Sequence, residues 1–107
     1  MEIDYNTARR MAFDFVNSSR IDNDERVILD EYTIAKEYGW YFFFNSKRFM
    51  DTGDDRYRLA GNAPFLVTKK GGKIIQFGTA YSIDYYIEQY ENGSWPGSKP
   101  ALNYWDI

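Results

Sequence analysis

The sequence predicts an α+β fold. It reads as a small single domain with an antiparallel β-sheet of about four strands and an N-terminal and a C-terminal helix packed on one face, in the order α-β-β-β-β-α. Three features lead there: helical apolar spacing near both ends, β-branched and aromatic runs between them, and Gly, Asn and Pro punctuating those runs. A chain of 107 residues is one domain, 1–107, whose folding buries about two-thirds of its unfolded surface, enough for a core without staples.

The first helix spans about Asn6 to Ser18, because Ala8, Met11, Ala12, Phe15 and Val16 form an amphipathic stripe. Asp4 or Asn6 can cap its start, and Arg9, Arg10 and Asp14 occupy the wet side. A polar loop, Asn17 to Glu25, precedes a first strand over Val27 to Ile34. After a turn near Lys36 to Gly39, the almost wholly aromatic run Trp40 to Asn45 reads as a central strand with both faces covered. Ser46 to Gly61 is the least regular stretch, anchored by Tyr57 and Leu59.

Gly61-Asn62-Ala63-Pro64 is a sharp connection, in which Gly and Asn tolerate positive φ and Pro64 keeps Ala63 extended. Strand three follows from Phe65 to Lys69, and strand four from Lys73 to Phe77. Gly71-Gly72 between them suits a two-residue primed turn, which pairs Leu66 with Phe77 and Thr68 with Ile75 and puts Leu66 toward the main core. The last helix runs from about Ile83 to Asn92, with Ser82 as N-cap and Gly93 after its end. The tail from Ser94 to Ile107 is rich in Gly, Pro and Ser yet carries Trp95, Leu102, Tyr104 and Trp105, apolar residues that either dock on the body or anchor a partner.

There is no Cys and no His, which removes disulfides, thiol nucleophiles, the commonest neutral-pH base and the commonest transition-metal ligand. The expectation is therefore no catalytic residue, no cofactor and no metal site. Asp51, Asp54 and Asp55 lack calcium-loop spacing, the glycines form no phosphate cradle, and Asp30 and Glu31 point to opposite faces of a strand. Met1-Glu2-Ile3-Asp4-Tyr5 has neither the basic start nor the apolar run of a secretory signal, and nothing approaches the roughly 18 apolar residues of a membrane span. A soluble, cytoplasmic protein is expected. Net charge is −3, with acids concentrated before Arg56, which argues against nucleic acid and is compatible either with a basic protein partner or with a solvated acidic surface that aids solubility. Asp22, Asp24 and Glu25 in one loop and Asp51, Asp54 and Asp55 in another are the candidate partner-binding residues, together with Trp95 and Trp105.

Trp40-Tyr41-Phe42, Thr52-Gly53-Asp54, Leu59-Ala60-Gly61-Asn62-Ala63-Pro64, Val67, Gly72-Lys73-Ile74, Gly78-Thr79 and Tyr86-Ile87-Glu88-Gln89-Tyr90-Glu91 resemble the bacterial immunity protein 35 family, also called YrhB-like. The resemblance covers 1–93 and leaves the tail 94–107 outside. It implies a small α+β protein, encoded beside a secreted polymorphic toxin, that protects the producing cell by binding and blocking that toxin. It also implies a second class, since a member has been regarded as a small chaperone; a small-ligand binder or enzyme is the third. The signature residues read as structural: Trp40 in the core, Gly61, Asn62 and Pro64 in a turn, Gly78 where backbones crowd, and Tyr90 on the last helix.

Overall fold

In the computed structural model, residues 1–18 and 23–96 are described. Helix α1 runs Tyr5–Asn17, and Asp4 caps it by accepting from the Thr7 N–H at 2.8 Å. The helix lies close to the sheet because the side chains that face it, Ala8 and Ala12, are small and fully buried. Four strands form the main sheet: β2 Ile34–Lys36, β3 Gly39–Phe42, β5 Phe65–Thr68 and β6 Ile74–Gln76, in the order β2-β3-β5-β6 with every neighbour antiparallel. A separate two-stranded ladder joins β1, Arg26–Ile28, to β4, Phe44–Ser46. Helix α2 spans Lys47–Thr52 and helix α3 spans Ile83–Glu91, the latter capped by Ser82.

The α+β class and the four-stranded antiparallel sheet match the sequence reading; the placement of the helices does not. Trp40, Phe42, Phe65 and Val67 pack with Ala8 and Ala12 of α1. Tyr41, Leu66 and Phe77 pack with Tyr86 and Ile87 of α3. The helices thus cover opposite faces of the sheet. Adjacent strand residues project to opposite sides, and β3 and β5 are buried at every position, so each face requires its own cover.

Three further expectations need correction. The first strand is not continuous over Val27 to Ile34: β1 ends at Ile28, a 3-10 turn occupies Asp30–Tyr32, and β2 starts at Ile34. Asp30 and Glu31 disfavour a strand, and Arg9 of α1 holds Asp30 through two hydrogen bonds of 2.7 and 2.8 Å. The aromatic run divides at Phe43, after which β4 leaves the main sheet to pair with β1. The β5–β6 register is Leu66↔Ile75 and Val67↔Ile74, two residues from the expected one. The Thr68 N–H donates to the Lys73 carbonyl, so the connection is a four-residue loop over 69–72 rather than a two-residue turn. That shift keeps Leu66, Ile75 and Phe77 on one face, as a two-residue slip must.

Candidate functional site

The division at Phe43 shapes the surface of the molecule. Where the β1–β4 ladder diverges from the main sheet, a wedge opens between them as a groove of about 440 Å³. Leu29 and Tyr32 enter it from the β1–β2 connection, Ile34 from β2, Phe43 and Phe44 from the bend, and Ile83 from the first turn of α3. Its lining is apolar apart from the Tyr32 hydroxyl and Asn62, whose amide nitrogen donates to the Phe44 carbonyl at 2.8 Å. Tyr32 is 58% exposed and meets the Phe43 ring edge-on at 6.4 Å between centroids. The sequence reading missed this site because a continuous aromatic strand leaves no wedge. The signal it passed over was Asp30-Glu31, two acids interrupting a strand pattern just before Tyr32.

The acidic loops are built differently from a bare negative surface. Asp22 lies outside the described residues. Asp24 accepts hydrogen bonds from the Ser46 hydroxyl and the Arg48 N–H, and so fixes the start of α2. The Ser46 hydroxyl holds its carboxyl below the ordinary aspartate range. Glu25 offers its backbone carbonyl to the Lys47 N–H. Asp51 pairs with Lys47 and Asp55 with Arg58, each at 2.8 Å, and Asp54 pairs with Arg56 at 2.7 Å. Within 47–58 four cations stand against three aspartates. Arg48 and Arg56 lie 4.9 and 5.5 Å from the Tyr57 ring centre, and Arg58 lies 4.6 Å from that of Phe49. Because α2 and the turn after it fold back on one another, charges distant from a simple acidic block are brought onto it.

Trp95 packs on the body: its ring lies 5.7 Å from Phe77 and 5.3 Å from Tyr86, and its indole N–H donates to the Gln76 carbonyl at 3.0 Å. Trp105 lies outside the described residues. Trp40 is buried in β3 between β2 and β5, and Tyr90 packs on Tyr38 at 5.2 Å. Gly61 has φ +73° in the turn that Asn62 fastens to Phe44, with half-buried Pro64 leading into β5. The crowding at Gly78 comes from a side chain, not from backbone: a Cβ there would lie 2.8 Å from the Tyr86 hydroxyl.

One polar chain crosses the α3 side. The Tyr38 hydroxyl donates to Glu91 at 2.8 Å, and the Tyr41 hydroxyl lies 2.8 Å from that of Tyr38. A carboxylate only accepts, so Tyr38 spends its proton on Glu91 and accepts from the fully buried Tyr41. Burial, then these hydrogen bonds, pushes the Tyr38 phenol far above its ordinary range. Lys36 completes the chain 3.6 Å from Glu91. This arrangement ties α3 to the β2–β3 turn.

No group of three or more His, Cys, Asp or Glu among the described residues is placed to hold a metal ion, and no helix among them is long and apolar enough to cross a membrane. What the geometry offers is a small α+β domain with an open apolar groove and a mixed-charge flank. The chain belongs to the immunity protein 35 family, whose sequence pattern it matches over residues 7–107. It is also similar to a protein of Escherichia coli (strain K12) described as uncharacterized protein YrhB, with 49% identity over 53 residues, or 50% of this chain and 56% of that one. The chain therefore matches little more than half the length of this relative. No solved structure matches.

Proposed function

We propose that this protein is a non-catalytic immunity protein that acts in the cytoplasm by binding a cognate secreted toxin and blocking it. The match to the immunity protein 35 family over residues 7–107 is the observation that carries this reading. The exposed large apolar side chains include Tyr5, Tyr32 and Met50 on three different elements and the pair Tyr81 and Tyr85, whose rings meet at 4.3 Å at the start of α3. That pattern favours a defined interface over the broad apolar surface a general holdase requires. The aspartates around α2, expected to meet the partner, are ion-paired and offer little unsatisfied charge, whereas the groove at Phe43, which the sequence did not foretell, offers apolar area.

The experiment is co-expression with the toxin domain encoded beside this chain. Growth should be restored, and the two proteins should co-purify as a stable complex. Persistent toxicity in cells that hold soluble, folded immunity protein would overturn the proposal.

A further inference from the structure

We propose that the groove at Phe43 is the docking site for a toxin segment that presents an apolar side chain flanked by lysine or arginine. This rests on the toxin-binding reading and adds to it both the surface and the chemistry of the partner. The groove's volume, about 440 Å³, falls within the roughly 300–1,000 Å³ of ligand-sized sites, and its walls are the half-buried Phe43 and Ile83 with Tyr32 at the rim. Tyrosine on such a rim is a residue type that concentrates binding energy at protein interfaces. Asn62 donates to Phe44, which leaves its side-chain oxygen as an acceptor for a backbone N–H of an inserted segment.

Charge selects the occupant. The charged residues nearest the lining in sequence are Asp30, Glu31, Lys36 and Asp84. Asp30 is held by Arg9 and Lys36 by Glu91. Glu31 and Asp84, each next in sequence to a lining residue, are exposed and make no ion pair among the described residues, so the unpaired charge flanking the lining is negative. A second copy docked by two-fold symmetry would bring these acids against themselves, on a chain whose net charge is already −3. A basic segment meets no such repulsion and gains steering toward the groove.

The test is binding of the purified neighbouring toxin domain to wild type, Tyr32→Ala, the double variant Glu31→Lys/Asp84→Lys, and Asp14→Lys on the wet side of α1. Thermal melts of each confirm folding. Tyr32→Ala should raise Kd about tenfold or more. The double variant, which alters only exposed side chains, should slow association about fivefold to tenfold and abolish its acceleration at low salt. Asp14→Lys should leave the Kd at its wild-type value. If wild type binds and both groove variants bind at wild-type Kd and rate, the groove assignment is wrong while the toxin reading stands. If wild type fails to bind, both fall. A wild-type dimer that Tyr32→Ala converts to monomer would identify a second copy as the occupant and overturn the proposal.

Discussion

A Cβ on Gly39 would lie 2.3 Å from the Val67 carbonyl oxygen on the neighbouring strand, and φ at Gly39 is +156°. Backbone cannot yield there without breaking the β3–β5 ladder, so Gly39→Ala should cost about 3 kcal/mol, at the upper end of overpacking. Gly61 has φ +73° but open space around it, so Gly61→Val should cost only about 1–2 kcal/mol, the penalty of the left-handed region. Urea midpoints of the two variants check that order. The Gly61 turn was legible because Gly-Asn-Ala-Pro is a local signal; Gly39 was not, because its constraint comes from a strand 28 positions away in sequence. The Tyr38–Tyr41 pair gives a second contrast. Tyr38→Phe leaves the buried Tyr41 hydroxyl without its acceptor and should cost about 1–3 kcal/mol, whereas Tyr41→Phe removes a donor and should cost about 1 kcal/mol. Equal losses in the two would contradict this proton order.

At the scale of elements, β3 carries the heaviest burden. Trp40 is 9% exposed at the centre of the sheet, and Trp40→Ala should cost about 3–5 kcal/mol, enough to unfold a domain of ordinary stability. A soluble variant with an unchanged melting temperature would return Trp40 to the surface. On the facing helix, Ala8 has no exposed area, so Ala8→Leu should destabilise by about 1–3 kcal/mol by forcing α1 off the sheet. Helices α1 and α3 were readable from their stripes and caps. Helix α2, six residues long, was too short to show a period, although Ser46 at its start and Gly53 in left-handed backbone at its end are ordinary boundary signals. The bend at Phe43 had no local marker, since every residue from Trp40 to Phe44 is aromatic. The groove it opens depends on which strand β4 pairs with, and that is a tertiary choice.

Across the whole molecule, four aspartates share one electrostatic trend. Asp4 is held below its ordinary value of 3.8 by the Thr7 backbone N–H, Asp24 by the Ser46 hydroxyl, Asp30 by the Arg9 guanidinium and Asp54 by that of Arg56. A depressed carboxyl stabilises the fold above its unfolded pKa and loses that contribution as pH falls through the folded value. The melting temperature should therefore be level through neutral pH and fall below about pH 4, and Asp24→Asn should flatten that decline. A pH-independent melt down to pH 2 would contradict it. Because two apolar layers share one sheet, Trp40 and Trp95 sit on its opposite faces and report on each layer separately. In a Trp105→Phe background, fluorescence transitions of Trp40→Phe and Trp95→Phe should coincide in shape with circular dichroism if the layers melt together. Trp95 has a further consequence. Strand β6 is one of the two outer strands of the sheet, and an uncovered outer strand is a template on which other chains add and grow into fibrils. By occupying the Gln76 carbonyl and lying over Phe77, the indole acts as a stopper on that template. Its removal in Trp95→Ala should appear first as light scattering on gentle heating, before any loss of helical signal.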